Sequence, residues 1–203
     1  HDFRHKADRV EHAELMLPEH LRDHIADRAG LWNAVEAQLG RKDGQPAFEV
    51  EVALPRELSK EQCLELARGF AQEQFVSKGL AVDLAIHRGI ASDGGEHPHC
   101  HFLISTRRWR DDGRMGFSAT DMQDNPALLR KVYALEDAGK LDEALVVAKG
   151  TNLQGWRKAW EIAANDALSG AGERARIDHR TLAAQKIARE PVPNIAHAFY
   201  SNA

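Results

Sequence analysis

The sequence predicts an α+β fold: an antiparallel sheet with helices packed on one face, followed by a C-terminal helical region. Three observations carry this. Residues 48–54 alternate, with Phe48, Val50, Val52 and Leu54 on one side and Glu49, Glu51 and Ala53 on the other, the period-two pattern of a half-buried strand. Two further strand-like runs, residues 81–87 and 99–106, flank a loop containing Gly94 and Gly95, as an antiparallel hairpin requires. Beyond Gly116 the apolar spacing turns helical.

Taken in order, residues 10–18 read as a short strand stopped by Pro18, which cannot donate to a ladder. Residues 19–39 space Leu21, Ile25, Leu31, Trp32, Val35 and Leu39 helically, with a break expected near Gly30. A turn-rich connection, residues 40–46, leads to the alternating strand, and Pro55 ends it. Ser59 and Gln62 fit a capping box, with Ser59 as N-cap. The helix they open carries Leu66, Ala67, Phe70, Ala71 and Phe75 and stops near Gly79. Residues 124–149 predict two helices joined near Ala138 and Gly139, and residues 153–168 one more, with Trp156, Trp160 and Ala163 on a stripe. Periodicity weakens over residues 176–189. We expect a metal-binding sheet core over residues 1–118 and a helical part of the same domain over 119–203.

Composition bounds the function. The 203 residues suit one domain with a sizeable core. Hydrophobic content of 43% beside 29% charged residues describes a folded chain, not a disordered one. No run of about 18 apolar residues is present, which excludes a transmembrane helix. Nothing resembles a secretory signal. Two cysteines, Cys63 and Cys100, are too few for a disulfide framework and point to a reducing compartment, the cytoplasm. A net charge of −4 argues weakly against a nucleic-acid partner.

Eleven histidines stand against two tyrosines. His87, His97, His99 and His101 are the informative group. His99 and His101, two apart on a strand, leave one face, while Cys100, Phe102 and Ile104 leave the other toward the core. If the preceding strand pairs antiparallel, His87 converges on them. Three neutral imidazoles with an open position suit Zn, Mn, Fe, Ni or Cu. Glu49 and Glu51 fall on the same sheet face, where a carboxylate can orient a ligand imidazole through its other ring nitrogen. His97, placed before Pro98 in a loop, is expected to be a bystander.

These residues resemble a known family. His99-Cys100-His101 is similar to the His-hydrophobe-His signature of HUH single-strand endonucleases. Ala85-Ile86-His87 with His97-Pro98-His99-Cys100-His101 and the following residues to Arg107 resembles, more narrowly, the metal motif of MobA/MobL (MobQ-class) conjugative relaxases. The segments 10–18, 31–33, 48–55, 156–168 and 177–180 resemble further blocks of that family, in the family's order.

The resemblance implies a relaxase that nicks and religates single-stranded DNA at a plasmid transfer origin, through a tyrosine hydroxyl that becomes joined to the 5′ phosphate. It implies a divalent ion on His87, His99 and His101, Mn²⁺ or Mg²⁺ first, with Zn²⁺ or Ni²⁺ as alternatives. Glu51, and Glu49 second, would orient a ligand imidazole or assist removal of the tyrosine proton. The partners implied are single-stranded or hairpin origin DNA, other relaxosome proteins and conjugation coupling proteins. The family's nucleophile lies upstream of the block that begins here with His1, so the expectation is a tyrosine preceding this chain. Tyr133 is expected to be an ordinary helix residue, and Tyr200 stands near the end.

Phosphate contacts are expected from Arg107, Arg108 and Arg110, with Trp109 between them as a stacking surface, and from Arg176 and Arg180. Two other readings stay open: an HUH-fold DNA-binding module or replication initiator that does not nick, and an unrelated His-site metalloenzyme. The initiator pattern expects a Lys one turn after its tyrosine; Glu136 stands three beyond Tyr133.

Overall fold

The computed structural model describes residues 10–39, 44–91, 94–180, 182 and 185–188. Four strands, β1 (Val10–Met16), β2 (Ala47–Ala53), β3 (Val82–Ile90) and β4 (Glu96–Ser105), form one sheet. Their order is β1-β3-β4-β2; the pairing is antiparallel throughout, as expected. The β3–β4 hairpin is longer than its apolar alternation suggests, so His97 sits within β4 opposite Gly89 and not in a loop. Pro98 is tolerated there because β2 has ended. Its carbonyl accepts the Leu54 N–H at 2.9 Å, and the donor it lacks falls on that same edge.

Residues 19–39 do not form one helix broken at Gly30. A 3₁₀ turn, Glu19–Leu21, is followed by α1 (Arg28–Ala37). The break falls just before Arg28 because Asp27 caps α1, accepting the Gly30 N–H at 2.7 Å. Gly30 is therefore part of the first turn. Arg28 donates to the Asp83 carboxylate at 2.6 and 2.7 Å, and Trp32 Nε1 donates to it at 3.1 Å. These bonds fasten α1 to β3.

Helix α2 (Lys60–Gln74) opens on the expected capping box. The Ser59 hydroxyl accepts the Gln62 N–H at 3.2 Å, and Gln62 Oε1 accepts the Ser59 N–H at 2.8 Å. Ser59→Ala should lower stability by about 1 kcal/mol in urea unfolding; an unchanged midpoint would contradict the cap. The chain then tightens into a 3₁₀ turn and leaves through Gly79 at φ 81°. A small hairpin, β5 (Arg107–Trp109) and β6 (Met115–Ser118), precedes α3 (Pro126–Asp137) and α4 (Leu141–Ala148), which turn at Gly139, and then α5 (Asn152–Gly170).

The main core lies between the sheet and helices α2 and α5. Val52, Leu84, Ile86, Cys100, Phe102 and Ile104 meet Phe70, Phe75, Trp160, Ala164 and Leu168 there. Phe70 meets Trp160 edge-on at 5.1 Å, and Phe48 stacks on Trp156 at 5.7 Å. The helices read from residues 60–75 and 153–168 thus share one face of the sheet. A second, smaller cluster of Leu21, Leu31, Val35, Ala81, Trp109 and Met115 seats α1 and the β5–β6 hairpin toward the other face. Among the described residues no helix is long and apolar enough to cross a membrane.

Candidate metal centre

Strand alternation builds the site. Along β4, Pro98, Cys100, Phe102 and Ile104 are buried toward the helices, so His97, His99 and His101 leave the opposite face. The β3–β4 register sets His87 opposite His99 and small Ala85 opposite His101. The His87 ring consequently lies 5.4 Å from that of His99 and 4.9 Å from that of His101, with His99 and His101 5.1 Å apart. Strand β2 sets Glu51 opposite His101 and Ala53 opposite His99. One potential ligand atom each from Glu51, His99 and His101 lie within 4.8 Å of one another. All three expected imidazoles are therefore brought together.

The two carboxylates are separated in role by geometry, which alternation alone could not do. Glu49 Oε1 accepts the Nδ1–H of His101 at 2.7 Å. The Nδ1–H of His99 donates to the carbonyl of His97 at 3.0 Å. Both bonds fix a tautomer and leave Nε2 free to ligate. Glu51 stands among the imidazoles instead. The rings are half-buried and both carboxylates exposed, so the cluster opens outward. An imidazole set with a flanking carboxylate fits a first-row divalent ion. The exposed His97 ring lies 5.6 Å from that of His99. Its contribution within the cluster is its backbone carbonyl.

The expected basic patch needs correction in part. Trp109 is 6% exposed, packed with Leu31 and Met115, and offers no surface to a base. Arg108 is held by Asp121 through two bonds of 2.7 Å and by the Lys78 carbonyl at 2.8 Å. Arg107 is half-buried in a cleft with Gln45, Ser118 and Gln123. Arg110 remains exposed, its guanidinium 5.7 Å from the ring centroid of Phe117. Phe117 is 81% exposed. It is the aromatic that sequence reading missed; the Asp112-Gly113 turn, which marks a hairpin, was the available signal. Arg176 bonds the carbonyls of Glu173 and Ala175, and Arg180 pairs with Asp178. Tyr133 is half-exposed on α3, and Tyr200 lies outside the described residues.

Comparison with known proteins identifies the family. The chain is 37% identical over 187 residues to Mobilization protein A of Escherichia coli, covering 91% of this chain and 24% of that protein. It is 31% identical to Mobilization protein MobL of Acidithiobacillus ferridurans, covering 98% of this chain and 52% of that protein. The 43 kDa relaxation protein of Salmonella typhimurium is 35% identical over 163 residues, 78% of this chain and 42% of that protein. The chain thus spans about half or less of these relatives' lengths. A solved structure described as "Molecular Basis of Vancomycin Resistance Transfer in Staphylococcus aureus" superposes with a TM-score of 0.64 at 25% identity, covering 85% of this chain and 76% of its own. The MobA/MobL family model matches residues 1–200, and so the chain with this imidazole triangle belongs to the MobA/MobL family.

Proposed function

We propose that this chain acts in conjugative mobilization as the part of a relaxase that nicks and religates one DNA strand at a transfer origin. The supporting observation is the His87–His99–His101 triangle with Glu49 and Glu51 beside it, in a chain whose relatives are named mobilization and relaxation proteins.

The reaction is a transesterification. A tyrosine hydroxyl attacks the scissile phosphorus, the bond to the 3′ oxygen breaks, and the strand's 5′ phosphate stays on the protein. The phosphotyrosyl ester conserves the bond's energy, so the same site can rejoin the strand. Glu51, beside His99 and His101, would accept the tyrosine proton. Glu49 orients His101. When bound, a divalent ion, Mn²⁺ or Mg²⁺ in this reading, supplies positive charge against the scissile phosphate. Val10, the first residue of β1, pairs with His87.

Single-stranded origin DNA would meet the β5–β6 hairpin, where Phe117 offers a stacking face and Arg110 a cation. Relaxosome and coupling proteins would complete the assembly in the cytoplasm.

The test uses the full-length protein, incubated with Mn²⁺ and a labelled strand spanning the transfer origin of its own element. A covalent protein–DNA adduct is expected, lost in His99→Ala and kept in His97→Ala. Phe117→Ala should weaken single-strand binding by about 1–3 kcal/mol while leaving adduct formation intact at saturating DNA. Strand binding without any adduct from the full-length protein would refute nicking.

A further inference from the structure

Residues 177–180 have no regular secondary structure, yet they are held in place almost atom by atom. The Asn165 side chain accepts the Ile177 N–H at 2.9 Å and donates to the Ile177 carbonyl at 3.0 Å. Glu161 of α5 holds Nδ1 of His179. Asp178 accepts from Arg180 Nε at 2.9 Å and Nη2 at 2.6 Å. Gln185 Nε2 donates to the Arg180 carbonyl at 2.7 Å. The Arg180 guanidinium draws the Asp178 carboxyl down to about 2, so this pair persists across ordinary pH.

Ile177 packs against the main core, whereas the side chains that follow it, Asp178, His179 and Arg180, are polar. The hydrogen bonds fix His179 and Arg180 at the wall of a cavity of about 570 Å³ between α4, the start of α5 and this segment. Lys149 and Lys158 also line the cavity, with Asp142 the one carboxylate of the lining, and Leu145 and Val146 form an apolar patch. Lys158 and Arg180 are countered from behind by Glu161 and Asp178. The Lys149 ammonium has no carboxylate partner among the described residues. Val146 is 68% exposed. An apolar floor beneath fixed N–H donors and an unneutralised ammonium suits a sugar-base face carrying a singly charged phosphodiester.

We propose that this cavity binds one nucleotide of the single-stranded DNA, outside the reacting phosphodiester. The assignment rests on the reading of the chain as a handler of single-stranded DNA. It adds Lys149, Lys158, His179 and the Leu145–Val146 patch to the contact surface. The cavity is built on α5, which packs on the core face of the sheet, whereas the imidazoles leave the other face. The bound nucleotide therefore lies on the side of the sheet away from the imidazoles.

The test measures binding of fluorescein-labelled oligothymidylates of increasing length to this chain by anisotropy, over a salt series. Lys149→Gln should reduce the salt slope by about one and weaken binding about fivefold. Val146→Asp should weaken it by a similar or larger factor. Both effects should vanish for oligomers too short to reach past the imidazole cluster. Both residues are exposed, and an unchanged urea midpoint verifies the fold. Lys131→Gln, an exposed cation on α3, controls for loss of charge. Equal weakening by Lys131→Gln and Lys149→Gln overturns the assignment, as does strand binding indifferent to Lys149 and Val146. In those cases intact Mn²⁺ binding and adduct formation leave the relaxase reading standing. Absence of any single-strand binding overturns both.

Discussion

His99→Ala and His101→Ala should each abolish tight Mn²⁺ binding, and Glu49→Gln should weaken it by about 10- to 100-fold. The first pair removes ring nitrogens that no neighbour replaces. The Glu49 change leaves every ligand atom in place but removes the charge that orients His101 through the 2.7 Å bond to Nδ1. His87→Ala should also lose the ion strongly, because its ring forms the third corner of the triangle. His97→Ala should bind as the parent does, since alanine retains the carbonyl that the His99 ring uses. Titration calorimetry or Mn²⁺ electron paramagnetic resonance reads all five proteins. A loss in His97→Ala equal to that in His87→Ala would mean that the wrong third imidazole has been assigned. Unchanged affinity in Glu49→Gln would remove the carboxylate from the account.

Phe70→Ala should cost about 3–5 kcal/mol in urea unfolding. The ring is 2% exposed and is enclosed by Phe75, Phe102 and Trp160, at centroid distances of 5.9, 5.7 and 5.1 Å. Those partners come from the 3₁₀ junction, β4 and α5, so no single element can move to fill the void. The same chemical change at Phe117, 81% exposed, should alter stability by less than about 0.5 kcal/mol. A loss at Phe70 no greater than that at Phe117 would place the core elsewhere.

Much of this was legible from short-range patterns. The alternation in residues 48–54 and 99–104 told which side chains share a face, and facing fixes the imidazoles once the strands pair. The capping box at Ser59 and the turn at Gly139 were readable for the same reason: their causes lie within a few residues. What escaped depends on distant partners. Trp109 reads as an aromatic among arginines and a natural stacking surface, but Leu31 and Met115 bury it. Arg108 reads as a free cation until Asp121, 13 residues on, takes its guanidinium. Asp27 outcompeted the helical spacing of residues 19–39, a local cause that apolar periodicity does not register. Glu49 and Glu51 look equivalent in the sequence. Only the side-chain directions across β2 and β4 divide them.

Cys100 lies between two imidazole-bearing residues in the chain and yet belongs to a different environment. The pleat sends its sulfur into the helix layer, where it is fully buried and burial pushes the thiol pKa up. The atoms that β4 turns toward the proposed ion site are therefore nitrogen, and those from β2 are oxygen. A slip of β4 by a single residue would reverse this, presenting sulfur outward and burying both rings. Donor hardness at this centre is thus a matter of odd and even position, enforced by the apolar residues Phe102 and Ile104 that hold the strand in register. If the proposed ion binds here, packing on the far side of the sheet would disfavour the metals a soft thiolate selects.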